Sequence, residues 1–370
     1  MKKVDISTHE FVHSGWRKAP SRRRRKERCV SVKRLLKKAA VALSIFACAA
    51  SGPACSAQLS ANWSHLHNPV LSYPHWSIKD PSMAQQNGAY FVFFSAFDQD
   101  HGRLRSRVVE VSTRDFHNFS RPILNFTGEP DGWLGMCTPD IQKFGNLWVL
   151  TFNSWGDDPR RPDQLFYKTS SDLVHWSATH PLTPNLTAGL SVIGPSITRI
   201  GDLYYASWRQ GLEDFPRDIK VRIASAKNLD GPWSYSGSGD VSLRMVSGID
   251  NGRIHENGQF IWIDNRLHMV SDDYRGDLDG AFLYSLLDPS DPLSWGGGYE
   301  LQIPVESFNR FTCCEASSLY DWRRQDRYFY IIYGGTNEQS TYEGRGWISL
   351  GLARSLDLVH WFPAGSAGHE

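Results

Sequence analysis

Short aliphatic and aromatic runs recur along the chain, each bounded by Gly, Asn or Asp turns. The runs occupy residues 89–94, 147–152, 203–208, 267–270 and 328–333. Aromatic and β-branched residues between such turns predict strands joined in hairpins. After residue 57 no segment sustains an apolar period of 3.6 residues, which argues against a helical bundle. The pattern therefore predicts an all-β fold.

A second pattern repeats with the length of a whole structural unit. One heptapeptide occurs almost intact at 170–176 and 355–361, and weaker copies lie at 112–119, 226–233 and 288–295. The aromatic residues that end these copies are 57, 57, 62 and 66 residues apart: Phe119, Trp176, Trp233, Trp295 and Trp361. Repeats of this length predict a five-bladed β-propeller of four-stranded antiparallel blades, formed as a single domain by residues 58–370. We interpret the heptapeptide itself as a turn followed by a core aromatic residue.

The formal net charge of +1 conceals two opposite parts of the chain. Residues 1–38 carry 14 Lys and Arg against three acidic residues, and residues 39–57 carry no charge, so residues 58–370 sum to −10. With 41% apolar residues, 31 Gly and 19 Pro, the whole chain has the composition of a turn-rich β protein. Its charge gives no reason to expect a nucleic-acid partner.

The amino-terminal segment has the three parts of a secretory signal. Basic residues at 33–38 precede an apolar run at 39–50 and small residues at 51–57. The apolar run is too short for a permanent membrane span. We therefore predict that residues 1–57 form a basic leader and signal peptide, and that the mature protein is secreted or periplasmic. A lipoprotein anchored through Cys55 is an alternative, and residues 1–29 are either a long leader or an untranslated stretch.

Export changes the interpretation of the cysteines. The mature chain keeps Cys137, Cys313 and Cys314, an odd number that cannot all pair. Two pairings are open in an oxidising compartment: Cys137 with one of the adjacent pair, or a bond between Cys313 and Cys314. The spacing lacks the CxxC pair typical of zinc sites, so no metal centre is predicted.

Polar residues stand where the first strand of each predicted blade begins. They are Asp80, Asp140, Ser196, Glu256 and Glu315, separated by 60, 56, 60 and 59 residues. First strands line the propeller axis, and in antiparallel blades the loops after the second strands open on the same face. Those loops are also polar or aromatic. The convergence predicts a sugar-binding pocket at the axis, with four substrate-binding residues: Trp155, Arg209, His255 and Glu315.

Several of these motifs resemble a known family. The stretch 79–82, Lys-Asp-Pro-Ser, precedes an aromatic strand, Pro-Asp-Ile follows at 139–141, and the Ser-x-Asp-Leu repeats complete the set. Together they resemble the five-bladed propeller glycoside hydrolases of families 43 and 62 over residues 70–362. These families include arabinofuranosidases, arabinanases and xylosidases. The resemblance implies an inverting hydrolase in which Asp80 is the general base and Asp140 tunes and orients the general acid.

The third motif of the family is altered in this chain. The family carries its general acid in a Glu-Gly-Pro motif, and the matching stretch here is Ile193-Gly194-Pro195. Ile193 cannot transfer a proton. Either the acid lies elsewhere in the chain or the activity is lost.

Glu256 is the predicted general acid. It lies across the axis from Asp80 and Asp140, and a nearby like charge raises the pKa of a carboxyl group and keeps it protonated. His255 is an alternative, since imidazole also acts as an acid; the adjacent His-Glu pair resembles the neoagarobiose hydrolases of family 117. Glu315, in the blade beside Asp80, leaves little room for the attacking water.

Two functions follow from these features. The first is an exported inverting glycoside hydrolase that cleaves a plant or microbial polysaccharide or oligosaccharide of arabinose, xylose or galactose type. The alternative, motivated by Ile193, is a catalytically inactive carbohydrate-binding propeller. We expect a monomer with a sugar substrate, no nucleic-acid partner and no membrane span. We predict that no cofactor is required. The sequence does not decide whether a structural Ca²⁺ lies in the axial channel.

Overall fold

Five four-stranded antiparallel sheets make up the fold. The computed structural model describes residues 59–156, 161–211, 219–247, 254–274, 280–337 and 348–366. Within these ranges, twenty strands follow one another so that each sheet takes four consecutive strands in order. The predicted five-bladed propeller of four-stranded antiparallel blades is confirmed. The predicted leader at 1–57 lies outside the described residues.

The blades follow the chain in order. Blade one holds β1 (Ser77–Gln86), β2 (Ala89–Asp100), β3 (Arg103–Thr113) and β4 (Leu124–Phe126). Blade two holds β5 (Gly135–Phe144), β6 (Leu147–Trp155), β7 (Leu165–Ser170) and β8 (His180–Pro181). Blade three holds β9 (Val192–Ile200), β10 (Leu203–Gln210), β11 (Lys220–Ala226) and β12 (Ser234–Val241). Blade four holds β13 (Ile254–Ile263), β14 (Arg266–Tyr274), β15 (Ala281–Leu286) and β16 (Trp295–Glu300). Blade five holds β17 (Thr312–Asp321), β18 (Phe329–Thr336), β19 (Ser349–Ser355) and β20 (Trp361–Pro363).

Helices are short in the part of the chain that the structure describes. They are α1 (Pro184–Thr187), α2 (Arg323–Asp326) and two 3-10 helices, Leu59–His65 and Glu129–Asp131. None of the helices in the described ranges is long and apolar enough to cross a membrane.

Hydrophobic clusters fill the gaps between neighbouring blades. Five clusters of buried side chains occupy the five gaps, and each draws on both of the blades that it joins. Phe93 of β2 and Leu150 of β6, both fully buried, belong to the cluster between blades one and two. Burial of one such side chain contributes roughly 1.5–3 kcal/mol. Each blade is therefore stabilised by its two neighbours, which favours a closed ring.

The ring is closed by the segment that precedes β1. Leu71 forms an isolated antiparallel bridge with Leu350 of β19, in which the Leu350 amide donates to the Leu71 carbonyl at 2.9 Å. The side chain of Asn68 accepts from the Leu352 amide at 2.9 Å. The start of the propeller is thus hydrogen-bonded to its last blade.

The repeated heptapeptide forms the turn between the third and fourth strands. In blade two the Asp172 carboxylate accepts two backbone amides at 2.8 and 3.0 Å, and Leu173 takes a left-handed φ of 59°. Trp176, which ends the motif, donates its indole N–H to Glu110 of blade one at 2.9 Å. The motif is a turn followed by a packing aromatic residue, as its pattern predicted.

The cysteine pairing is also resolved. Cys313 and Cys314 form a disulfide within β17, and Cys137 is a buried free thiol. Of the two pairings left open by the sequence, the structure has the one between adjacent residues.

Candidate active site

The first strand of every blade contains a β-bulge near its start, at the propeller axis. One residue in each bulge has a left-handed φ between 48° and 62°: Asp80, Thr138, Gly194, Asn257 and Ala316. This conformation costs a residue other than glycine roughly 1–2 kcal/mol. Four strained residues around one axis mark it as a candidate functional site, because such strain clusters where function requires it.

The bulges correct the alignment drawn from the sequence. That alignment placed Asp140, Ser196, Glu256 and Glu315 at the position of Asp80, and it was wrong. Asp140 and Ser196 lie two residues beyond the bulge residue, whereas Glu256 and Glu315 precede it by one. A bulge inserts a residue into one strand only, so counting back from the aromatic run of the second strand does not reveal it. The true counterparts of Asp140 are Ser82, Ser196, Gln259 and Ser318.

A cavity lies among the five bulges, in a depression that encloses about 280 Å³ when open solvent is included. Every blade contributes to its lining, and both Asp80 and Asp140 line it. Their side chains are buried, with 5% and 7% exposure. The structure therefore brings together the two carboxylates that the resemblance pairs as base and modulator.

Asp80 is oriented by a hydroxyl group of the second strand. Ser95 of β2 donates to Asp80 Oδ2 at 2.5 Å, and the same hydroxyl accepts from the Thr138 amide of blade two at 2.8 Å. A donor fixed in this way restricts the rotation of the carboxylate. Sequence reasoning missed Ser95.

Ser95 occupies a position that recurs in every blade and that, in blades one to four, links the blade to the next. Its counterparts are the residues that pair with the position before each bulge: Asn153, Arg209, Asp272 and Gly334. Asn153 accepts from the Gly194 amide and Asp272 from the Ala316 amide, both at 3.0 Å. These positions recur with the blade period, which is the signal that could have identified them.

Asp140 lies in a dense set of hydrogen bonds. Its carboxylate accepts from Ser196 Oγ at 2.6 Å, Gln142 Nε2 at 3.2 Å and Ser82 Oγ at 3.4 Å. Burial nevertheless raises its pKa to about 6, because desolvation outweighs these hydrogen bonds. Asp140 therefore changes charge near pH 6.

A second cavity adjoins the first between blades three and four, in a space of about 230 Å³ when open solvent is included. The two share Gly194 and Asn257 in their lining, and the second also contains Arg209, His255 and Glu256. The Arg209 guanidinium donates to Glu256 Oε2, and both side chains are largely buried. Arg209, predicted to bind substrate, is thus the blade-three counterpart of Ser95 and pairs with the predicted acid.

His255 is held by a buried carboxylate. Its Nδ1 lies 2.6 Å from Asp273 Oδ1, and Asp273, with 0% exposure, also accepts from Ser271 and Tyr284. Since Asp273 accepts, Nδ1 carries a hydrogen, which leaves Nε2 as the second site of protonation. Nε2 is buried and has no hydrogen-bond partner among the described residues. Sequence reasoning missed this pairing; Asp273 lies near the end of β14 and pairs with His255 in the strand register.

The remaining predicted residues are less involved. Trp155 ends β6, packs edge-on against Phe97 with ring centroids 5.3 Å apart, and is not among the residues that line either cavity. Glu315 lies in β17, but its side chain is outside the described part of the structure. Across the described ranges, no three His, Cys, Asp or Glu side chains are grouped to hold a metal ion.

Known proteins resemble this chain in their fold. No protein-family model matches the sequence, and no curated protein does. Among solved structures, a thermostable family-43 glycoside hydrolase matches with a TM-score of 0.57 and 13% identity, over 82% of this chain and 97% of its own. The GH43_1 enzyme from Xanthomonas citri, complexed with xylose, gives 0.56 and 14%, over 85% and 98%. A GH32 β-fructofuranosidase from Bombyx mori gives 0.56 and 13%, over 84% and 68%. The chain therefore has the β-propeller fold found in family-43 glycoside hydrolases.

Proposed function

We propose that this protein is an inverting glycoside hydrolase that acts on polysaccharides or oligosaccharides of arabinan or xylan type. The observation that carries the proposal is the meeting of two buried carboxylates, Asp80 and Asp140, in one axial cavity beside a second cavity that holds His255 and Glu256. The fold shared with family-43 enzymes supports the reaction class.

Asp80 is the general base in this mechanism. Inverting hydrolysis needs an ionised carboxylate that removes a proton from water on one face of the sugar, and an acid about 6.5–9.5 Å away on the other. The hydrogen bond from Ser95 orients the Asp80 carboxylate at the axis before substrate binds. Holding a reacting group in place lowers the entropic cost of the reaction.

The general acid has two candidates, and the contacts favour His255. Glu256, the acid predicted from sequence, has its carboxylate engaged by the Arg209 guanidinium as part of the set that links the blades. His255 is oriented through Nδ1 by Asp273, and its Nε2 has no partner in the described structure. Because Nε2 is buried, a substrate reaches it only if the lining of the second cavity moves on binding; the imidazole then donates a proton from Nε2 to the glycosidic oxygen and takes one back from water.

Asp140 has the role of modulator. With a pKa of about 6 it is ionised at neutral pH and neutral in mild acid. Its charge therefore changes the electrostatic potential of the axial cavity between these conditions. A negative charge there favours the protonated, proton-donating form of a nearby acid.

Turnover of aryl arabinofuranosides and xylosides tests the base assignment. We expect Asp80→Asn to lose about 10²–10⁴-fold in kcat. The matched control is Asp202→Asn, since Asp202 is a fully exposed turn residue. Equal activity of wild type and Asp80→Asn would remove Asp80 as base, and NMR detection of retained anomeric configuration in the product would contradict the inverting mechanism.

Leaving-group dependence tests the acid. A dinitrophenyl leaving group needs no protonation, so a variant without its acid keeps activity on dinitrophenyl glycosides and loses it on alkyl glycosides and natural linkages. We expect this pattern for His255→Gln, with His175→Gln as an exposed control. The same pattern in Glu256→Gln, with His255→Gln fully active, would return the acid role to Glu256.

Ile193 favours a second candidate function, a carbohydrate-binding propeller without catalysis. Ile193 occupies the position before the blade-three bulge, where it pairs with Arg209. This candidate predicts that wild-type protein is retarded in gels that contain arabinan or xylan but releases no reducing sugar from either. Release of sugar by wild type and not by Asp80→Asn excludes it.

We also propose that the protein is exported and loses residues 1–57. The disulfide between Cys313 and Cys314 suits an oxidising compartment. Amino-terminal sequencing of protein recovered from medium or periplasm checks this, with a start near Gln58 as the expected result. A protein that keeps its basic leader and stays in the cytosol would contradict the proposal.

A further inference from the structure

A groove lies between blades four and five, at the ends of their first strands opposite the axial cavity. Strand β13 runs from the bulge at Asn257 to Ile263, and β17 runs from the bulge at Ala316 to Asp321. The space measures about 1030 Å³, including open solvent, and six residues line it: Trp262, Asp264, Asn265, Asp321, Arg323 and Arg324. None of them belongs to the site described above.

Trp262 presents an indole to this groove. Its side chain is 45% exposed, and it is the one tryptophan in the exposed class among the described residues. The indole N–H donates to Thr198 Oγ1 of blade three at 3.2 Å, so the ring is held in place. A tryptophan contributes more to stability when it is buried than when it lies in water. A fixed, exposed indole therefore indicates a surface that binds something.

The opposite wall of the groove is polar and fixed. Arg323 pairs with Asp321 through Nε at 2.8 Å and through an amino group at 2.6 Å, and that amino group also reaches Asp264 at 2.9 Å. The guanidinium lies 4.3 Å above the ring of Phe329. These contacts join the hairpin of blade four to blade five and hold two carboxylates in place. Carboxylates so placed keep lone pairs that accept hydrogen bonds from hydroxyl groups.

We infer that this groove is a second carbohydrate-binding site, in which a sugar ring stacks on Trp262 and its hydroxyls bind Asp264, Asn265 and Arg324. A sugar has an apolar C–H face and a rim of hydroxyls, which matches a lining that combines one indole with charged and amide side chains. The charges of the two Arg and two Asp residues cancel, which suits a neutral ligand better than a nucleic acid. Trp262 is the one apolar residue in the lining, whereas a protein interface has an apolar core of several side chains.

The site would hold a polysaccharide chain on the face away from the catalytic cavity. Its position follows from the contacts above, and the choice of a sugar as ligand rests on the proposed function. A second binding site on one protein raises the effective concentration of polymer near the first. Small substrates that reach only the axial cavity gain nothing from it.

Affinity electrophoresis of the Asp80→Asn protein in gels with soluble arabinan or arabinoxylan tests the inference. Adding Trp262→Ala or Trp262→Leu should weaken retardation about ten-fold, whereas Trp262→Phe, which keeps an aromatic plate, should stay close to the parent. Leu287→Ala is the matched control, since Leu287 is an apolar residue of blade four that is 58% exposed. Circular dichroism checks the fold of each variant. Unchanged retardation in folded Trp262→Ala or Trp262→Leu protein would overturn the inference, as would the absence of retardation by both polymers.

Turnover separates this inference from the catalytic proposal. In protein with Asp80 intact, Trp262→Ala should leave kcat and KM for aryl glycosides unchanged and raise KM for the polymer. Retardation that depends on Trp262, in a protein that hydrolyses no glycoside, would sustain the second site and overturn the hydrolase. Hydrolysis of glycosides together with retardation that does not depend on Trp262 would sustain the hydrolase and overturn the second site.

Discussion

Asp140 makes the stability of the fold depend on pH. Burial raises its pKa to about 6, against an ordinary value of 3.8. This difference corresponds to about 3 kcal/mol, since one pH unit is worth about 1.36 kcal/mol. The pKa of Asp140 is higher in the folded protein than in the unfolded chain. The folded protein therefore binds this proton more tightly than the unfolded chain does. The contribution of Asp140 to stability is complete below pH 3.8 and is lost as the pH rises through 6.

The informative substitution is Asp140→Ser. Three of the four counterparts of Asp140 in other blades are serines, Ser82, Ser196 and Ser318, so the ring accepts this side chain. At pH 4 the variant should be less stable than wild type by up to about 3 kcal/mol, because the three hydrogen bonds to the carboxylate are lost at about 1 kcal/mol each. At pH 7.5 removal of the buried charge should offset that loss, by up to about 3 kcal/mol. Activity should fall by at least about ten-fold at both pH values.

Thermal unfolding between pH 4 and pH 8 measures this effect. For a domain of this size 1 kcal/mol corresponds to about 2 °C in Tm, so the Tm difference between variant and wild type should rise by about 6 °C from pH 4 to pH 7.5. Asp202→Asn serves as the control and should show no such trend, since Asp202 is fully exposed. A Tm difference that is flat with pH would refute the reasoning. Full activity in Asp140→Ser would show that Asp140 only joins the blades.

Other substitutions test the links between blades. Ser95→Ala should lower the free energy of unfolding by about 1–3 kcal/mol, because the Thr138 amide and the Asp80 carboxylate each lose one hydrogen bond. It should also lower kcat more than it changes KM. Arg209→Met removes the cation that pairs with the Glu256 carboxylate and should lower the free energy of unfolding by about 3 kcal/mol or more. The double variant Arg209→Met/Glu256→Gln should restore most of that loss. Equal stability of the single and double variants in denaturant titrations would contradict the pairing. Gly194→Ala should destabilise more than Gly201→Ala: both have a left-handed φ, but only at Gly194 would the new Cβ lie 3.0–3.2 Å from the next blade. Equal Tm values for these two variants would show that crowding at the axis is unimportant.

The number of blades and their boundaries could be predicted from the sequence for a physical reason. Each blade buries its own aromatic second strand and closes with its own turn. The same local sequence pattern therefore occurs five times along the chain. Asp172 and Trp176 show this: the carboxylate binds amides two and three residues ahead, and the indole fills the gap beside its own blade. The meeting of Asp80 and Asp140 at one axis followed from the same period.

The partners of the candidate catalytic groups could not be predicted from the sequence. Ser95 reaches Asp80 only through the register of a bulged strand pair, and Arg209 reaches Glu256 only across the boundary between two blades. The position of the bulge decides which side chain faces the axis, and a period of about sixty residues does not determine register to one residue. The sequence by itself thus determined the five-bladed ring and the chemistry available at its axis. The tertiary structure decided which carboxylates carry partners and which imidazole nitrogen has none among the described residues, because those contacts exist only once five separate stretches of chain have closed around one axis.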